Sequence, residues 1–281
     1  MRLHQISFVL AITIALSGCS QLKFLYSFSG EAIKSKASYF LDLEDTEEAT
    51  LEAKVDELVD WHRVQMLPQY ATFLRQTANY VEAGPIGDAP ARRAIEEFRK
   101  LLAKTIQGAA PFISDVLFDH TTSPKLAHMR ARMEERMKEH RAELEETQVD
   151  RINKKTEKAI SWFERLFGSF TPAQTTLTRG YFEKAEKVTA VFLDAREKRW
   201  RAFIYFLSQS PTPDEIKQFI PIIVLRSEQA IGQKYKQLSH MWWTQFTDWI
   251  VEISASLSLQ QRQHFSRVLR SYATDMIELS N

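Results

Sequence analysis

The side chains best equipped for covalent or acid–base chemistry are scarce in this chain: one cysteine, Cys19, and seven histidines. A thiolate is a strong nucleophile, and Cys19 ends the run Leu16-Ser17-Gly18-Cys19, so its sulfur is the first candidate. The histidines point to no shared site. A di-iron helical bundle needs Glu-x-x-His pairs to set both ligands on one face, yet the residues three before each histidine are Met1, Val59, Leu117, Lys125, Met137, Gln237 and Gln261. No His-Glu-x-x-His, Gly-x-Ser-x-Gly or Gly-Lys-Ser/Thr occurs either. His140 with Glu143 is the one His-x-x-Glu, and in so charged a stretch it reads as a solvated pair. The expectation is a protein with no catalytic residues, no metal and no cofactor, an unrecognised envelope enzyme being kept as an alternative.

What precedes Cys19 explains it. Arg2 and His4 give a small positive start, and Ile6 to Leu16 form an apolar run too short to span a bilayer, followed by small residues at Ser17 and Gly18. Leu16-Ser17-Gly18-Cys19 resembles the lipobox of bacterial lipoproteins. That resemblance implies a diacylglycerol on the Cys19 sulfur, signal cleavage between Gly18 and Cys19, and acylation of the new amino group. Several acyl chains, at about 0.8 kcal/mol per buried methylene, hold a protein on a bilayer. Ser20 in place of an Asp implies, by the same resemblance, the outer membrane and its periplasmic face. The expected organisation is a signal peptide over 1–18, a lipidated membrane-proximal segment over 19–30, and a helical domain over 31–281 with possible halves at 31–122 and 123–281.

Thirty-seven Lys and Arg face 36 Asp and Glu, and Arg2 is the only charged residue before Gly18, so the remainder is balanced. Nucleic acid is not an expected partner, because it would need a basic excess or stripe. With Cys19 taken by lipid no disulfide can form, and stability falls to apolar burial, for which 44% hydrophobic residues suffice.

Glycine is rare, at 8, and no segment alternates apolar and polar residues, so the fold class is all-α, an irregular multi-helix bundle. Helix starts read at Asp45 with Glu48, Ser123-Pro124, Thr171-Pro172 with Gln174, Thr212-Pro213 with Glu215, and Ser258 with Gln261, each pairing a cap with a returning side chain or a first-turn proline. Residues 20–30 carry Leu22, Phe24, Leu25, Tyr26 and Phe28, too apolar for a floating tether; they dock on the domain or lie among lipid headgroups. Pro68 should bend the helix that follows Asp45. A helix over Asp88 to Gln107 and a short one from Pro111 to Asp119 come next. The stretch from Lys125 to Phe167, free of Gly and Pro, reads as one long charged helix, either packed in the bundle or projecting as an arm. Pro172 to Leu207, Thr212 to about Leu257 and Gln260 to Ile277 complete the set.

Two groups stand out as candidate interaction residues. Trp61-His62-Arg63 places His62 on an apolar stripe between Leu58 and Tyr70, where a hydrogen-bonded core histidine competes with a functional one. Trp243 falls off the seam formed by Ile231, Tyr235, Leu238, Trp242, Phe246 and Trp249, so it either anchors an interface or is buried by a second layer.

Asp42-Leu43-Glu44-Asp45, Glu57-Leu58-Val59-Asp60-Trp61-His62-Arg63 and Leu67-Pro68-Gln69-Tyr70 resemble the opening of an uncharacterised bacterial lipoprotein family, DUF6279. Phe170-Thr171-Pro172-Ala173-Gln174 and Leu257-Ser258-Leu259-Gln260-Gln261-Arg262 are similar to its helix starts, with Ser258-Leu259 where Thr-Pro is common. The resemblance implies a lipid anchor and a helical fold, and no activity. The expected function is therefore a membrane-anchored periplasmic module that binds an envelope protein; the alternative is a scaffold of stacked helical hairpins, since helix starts recur at near-regular intervals.

Overall fold

The computed structural model describes residues 21–281, in which every regular element is helical. The signal peptide expected over 1–18 and the Gly18-Cys19 junction lie outside the described residues. In chain order the helices are α1 (Gln21–Ser27), α2 (Ser29–Phe40), α3 (Asp45–Trp61), α4 (Leu67–Ala83), α5 (Asp88–Phe118), α6 (Ser123–Ala142), α7 (Gln148–Phe167), α8 (Pro172–Glu186), α9 (Thr189–Leu207), α10 (Pro213–Leu225), α11 (Glu228–Ile231), α12 (Lys234–Ser256) and α13 (Leu259–Ser280).

The helices do not stack as equivalent hairpins. The most extensive pairing joins α4 to α13, from the two ends of the chain, and α10 lies along α5. Leu207 and Ile216 are fully buried in a core shared with Ala110 of α5 and Met129 of α6. A second, aromatic core gathers Phe167, Tyr181, Trp249 and Ile253 from α7, α8 and α12, with Phe265 of α13 edge-on to Phe167 at 4.6 Å.

The expected long charged helix is in fact two. α6 ends at Ala142, a 3-10 turn covers Glu143–Glu145, and α7 starts afresh at Gln148. No Gly or Pro marks the break; Thr147 caps α7, its hydroxyl accepting from the Asp150 amide at 3.2 Å. Glu143 and Glu145, in the turn just past the end of α6, would sit badly against the negative end of a longer helix's dipole. Arg151 then stabilises the corner, donating to the carbonyls of Leu144 and Glu146 and pairing with buried Glu186 at 2.7 Å. Both helices pack, α6 on α9 and α7 on α8.

The opposite difference occurs at 88–118, where the two expected helices are one. Pro111 lies inside α5 because the apolar stripe stays in phase across it, through Ile106, Ala110, Ile113 and Leu117, and packing outweighs the lost backbone bond. Two cap positions move by one residue: Glu44 and Glu47 form the box expected of Asp45 and Glu48, the Glu44 amide donating to Glu47 at 2.9 Å, and Thr122 takes the place of Ser123. Glu47 is also held by Lys125, which favours the box that contains it. The helices expected over 172–207 and 212–257 are divided, at Lys187-Val188, and at Arg226-Ser227 and Gly232-Gln233.

Where a bend is expected at Pro68, the helix carries a π-turn just upstream. This turn, over His62–Met66, widens the backbone between α3 and α4, the Leu67 amide donating to the His62 carbonyl. A proline ring crowds the carbonyl four residues back, here Val64, and the extra residue in the turn makes room.

Candidate functional site

Trp61, His62 and Arg63 sit on and beside this π-turn, and each does something different. Trp61 lies flat against the backbone of α5 at Gly108, where any Cβ would collide with its six-membered ring, and Phe112 stands 6.1 Å away. It is a packing residue. His62 receives α1: Tyr26 Oη lies 3.0 Å from His62 Nδ1, and the two rings stack at 5.9 Å. Burial holds the His62 imidazole below its ordinary range and pushes the Tyr26 hydroxyl up. Arg63 pairs with Asp60 at 3.5 Å on the surface. The group brings helices together.

The docking of α1 gives it two faces. Tyr26 reaches the π-turn, and Lys23 reaches Glu278 and, at 4.0 Å, the buried carboxylate of Asp275 on α13. The other face carries Phe24 and Leu25, exposed by 63% and 67%, and Phe28, in the turn after α1 and 51% exposed, meets Phe24 edge-on at 4.9 Å. The two expectations for this segment, docked or lying among headgroups, are thus compatible. The boundary expected at residue 30 falls inside α2, which begins at Ser29.

Trp243 neither projects nor disappears into a core. It lines a cleft of about 510 Å³ between α5, α9, α10 and α12. The Arg99 guanidinium lies 4.5 Å over its indole, Trp242 meets it edge-on at 4.8 Å, and Trp242 stacks on Phe246 at 5.4 Å. Phe192 and Arg199 of α9 form the facing wall. Arg199 is the residue that sequence reasoning missed. A signal existed: the residues three and four away on its helix are Ala195, Arg196, Ala202 and Phe203, none of them acidic, so no intrahelical pair of the usual kind is available to it.

Across the described residues no group of three His, Cys, Asp or Glu stands ready to hold a metal ion, and no helix is long and apolar enough to cross a membrane. Fold and site together define a multi-helix, all-α protein with an aromatic, arginine-bearing cleft and an amphipathic first helix. The model of the family of unknown function DUF6279 matches residues 39–236, and the chain belongs to that family. The motifs at 42–45, 57–63, 67–70 and 170–174 fall within the matched region, whereas Leu257 to Arg262 lies beyond it. No curated protein and no solved structure matches the chain.

Proposed function

We propose that this protein is a lipid-anchored module of the bacterial cell envelope that rides on the membrane surface, on the periplasmic face of the outer membrane, and acts by binding an envelope partner. The observation that supports this reading best is the placement of Phe24, Leu25 and Phe28. They follow Cys19 by five to nine residues, lie on the outer side of α1 and in the turn that ends it while Tyr26 and Lys23 fix α1 to the body, and remain exposed. Burying a large apolar side chain contributes roughly 1.5–3 kcal/mol, so a headgroup layer would take up this face readily. The acyl chains implied at Cys19 supply the anchor, and the helix sets the orientation of the domain against the bilayer.

Membrane fractionation tests the reading. Wild-type protein should float with membrane vesicles and resist high salt, and Cys19→Ser should not. A triple change of Phe24, Leu25 and Phe28 to Ser should stay anchored but loosen the domain, seen as faster proteolysis between the anchor and α2. A Cys19→Ser protein that still floats would refute the anchor. Crosslinking in intact cells should then return a reproducible envelope protein.

A further inference from the structure

The cleft behind Trp243 holds a cation to which no described residue supplies a counter-ion. Arg199 is half-buried on α9. The acids of that helix are engaged elsewhere: Asp194 pairs with Lys198 at 2.9 Å, and Glu197 takes Arg201 and Arg141. Among the described residues no carboxylate or carbonyl hydrogen-bonds the Arg199 guanidinium. Burial, and then the neighbouring Arg196 charge, hold its pKa below the ordinary arginine range; arginine stays protonated even so. Arg196 brings no relief, because its own guanidinium is turned to the His140 ring, 2.6 Å from Nε2. A part-buried cation beside a like charge costs stability unless an anion meets it.

The rest of the cleft suits the remainder of a ligand. Glu96 is the one carboxylate among the lining side chains, against Arg99, Lys100 and Arg199, and Lys100 is taken up by Glu97 at 2.7 Å. The walls are apolar, from Trp242, Trp243, Phe192 and Leu238. About 510 Å³ falls within the range of about 300–1,000 Å³ typical of small-molecule sites. We propose that this cleft binds a small amphiphilic anion, a single carboxylate, phosphate or sulfonate head on an apolar body, with the head at Arg199 and Arg99 and the body against Trp242, Trp243 and Phe192. The proposal rests on no property of Cys19, so it stands or falls apart from the anchor.

Calorimetric titration of the full-length protein in phosphatidylcholine nanodiscs, with empty discs as the blank, tests it. Octanoate should bind saturably and octyltrimethylammonium should not. Arg199→Met should weaken octanoate binding tenfold or more while leaving the melting temperature of the unliganded protein unchanged or higher; an arginine kept for structure would lower it. Should that variant fail to fold, Arg99→Gln at the exposed rim carries the test, with a severalfold loss expected. Doping the discs with phosphatidylglycerol distinguishes the source of the head: competition assigns it to a lipid headgroup, its absence to a soluble anion, and both outcomes support the site. Saturable binding of neither octanoate nor 4-phenylbutyrate, equal binding of the cationic amphiphile, or octanoate affinity unchanged in a folded Arg199→Met would overturn the proposal.

Discussion

The side-chain amides of Gln174 and Gln261 hydrogen-bond each other in both directions, the Nε2 of each donating to the Oε1 of the other at 3.1 and 3.0 Å. Each is also the third residue of its own helix and accepts from its cap, Thr171 N at 2.9 Å and Ser258 N at 3.0 Å. The remaining protons go to Ser256 and to the Ser169 carbonyl. Two helix starts 87 residues apart are thereby fastened face to face, both glutamines being buried. Glutamate, which serves equally well in an isolated capping box, has no proton to give here, and a pair of them would set two carboxylates in contact.

Gln174→Leu should therefore do more than remove a cap. It leaves the buried Gln261 amide without its partner, at about 1–3 kcal/mol for an orphaned buried group, and takes the acceptor from the Thr171 amide at the exposed cap. Thermal denaturation should show a clear loss of stability, with Gln174→Glu also destabilised and Thr176→Ala, on the exposed side of the same helix, close to wild type.

Gly108→Ala should destabilise by about 1–3 kcal/mol through overpacking against the Trp61 ring. The cost depends on that ring alone, so Trp61→Leu should relieve most of it. A double-mutant cycle checks this: additive effects would mean that Trp61 is not the obstacle.

Glu186 fixes the pH response of the α6–α7 corner. Burial pushes its carboxyl up, but Lys155 and Arg151 outweigh burial and hold it below the ordinary glutamate range. A carboxyl lowered in the folded state contributes stability that is present above its unfolded pKa and lost as pH falls through the folded value. Denaturant midpoints measured down into that acid range should fall in the wild type, and Glu186→Gln should be less stable at neutral pH with a shallower acid limb.

His62 works with the opposite charge type and the same direction of loss. Its pKa is lowered by burial, so the neutral ring is the form that holds Tyr26, and stability falls as pH drops through the ordinary imidazole range. Hydrogen exchange should show α1 amides less protected at about pH 5.5 than at about pH 7.5, a dependence that His62→Gln removes. Equal protection in the wild type at both values would separate His62 from the docking of α1.

The helical class, the three boxes starting at Thr171, Thr212 and Ser258, and the disturbance at Pro68 were legible because each has a local cause in side-chain chemistry. What misled was punctuation. Pro111 ends nothing, because the stripe on either side is buried by the same neighbours, while the break at Glu143–Thr147 carries neither Gly nor Pro and is fixed by Arg151 from within α7. Trp243 was visible as a residue off its seam, but the cleft it lines needs α5 and α9, which no local pattern places beside it. Arg199 lay in a run of charges with no acid three or four residues away, and the engagement of Asp194 and Glu197 elsewhere leaves it without a carboxylate among the described residues.

Intact-mass and N-terminal peptide spectrometry of the protein purified from membranes tests the central claim most directly. The account predicts a chain beginning at Cys19 whose mass exceeds the polypeptide by a thioether-linked diacylglycerol and an amide-linked acyl chain. A free thiol at Cys19, or a chain that retains residues 1–18, would contradict it.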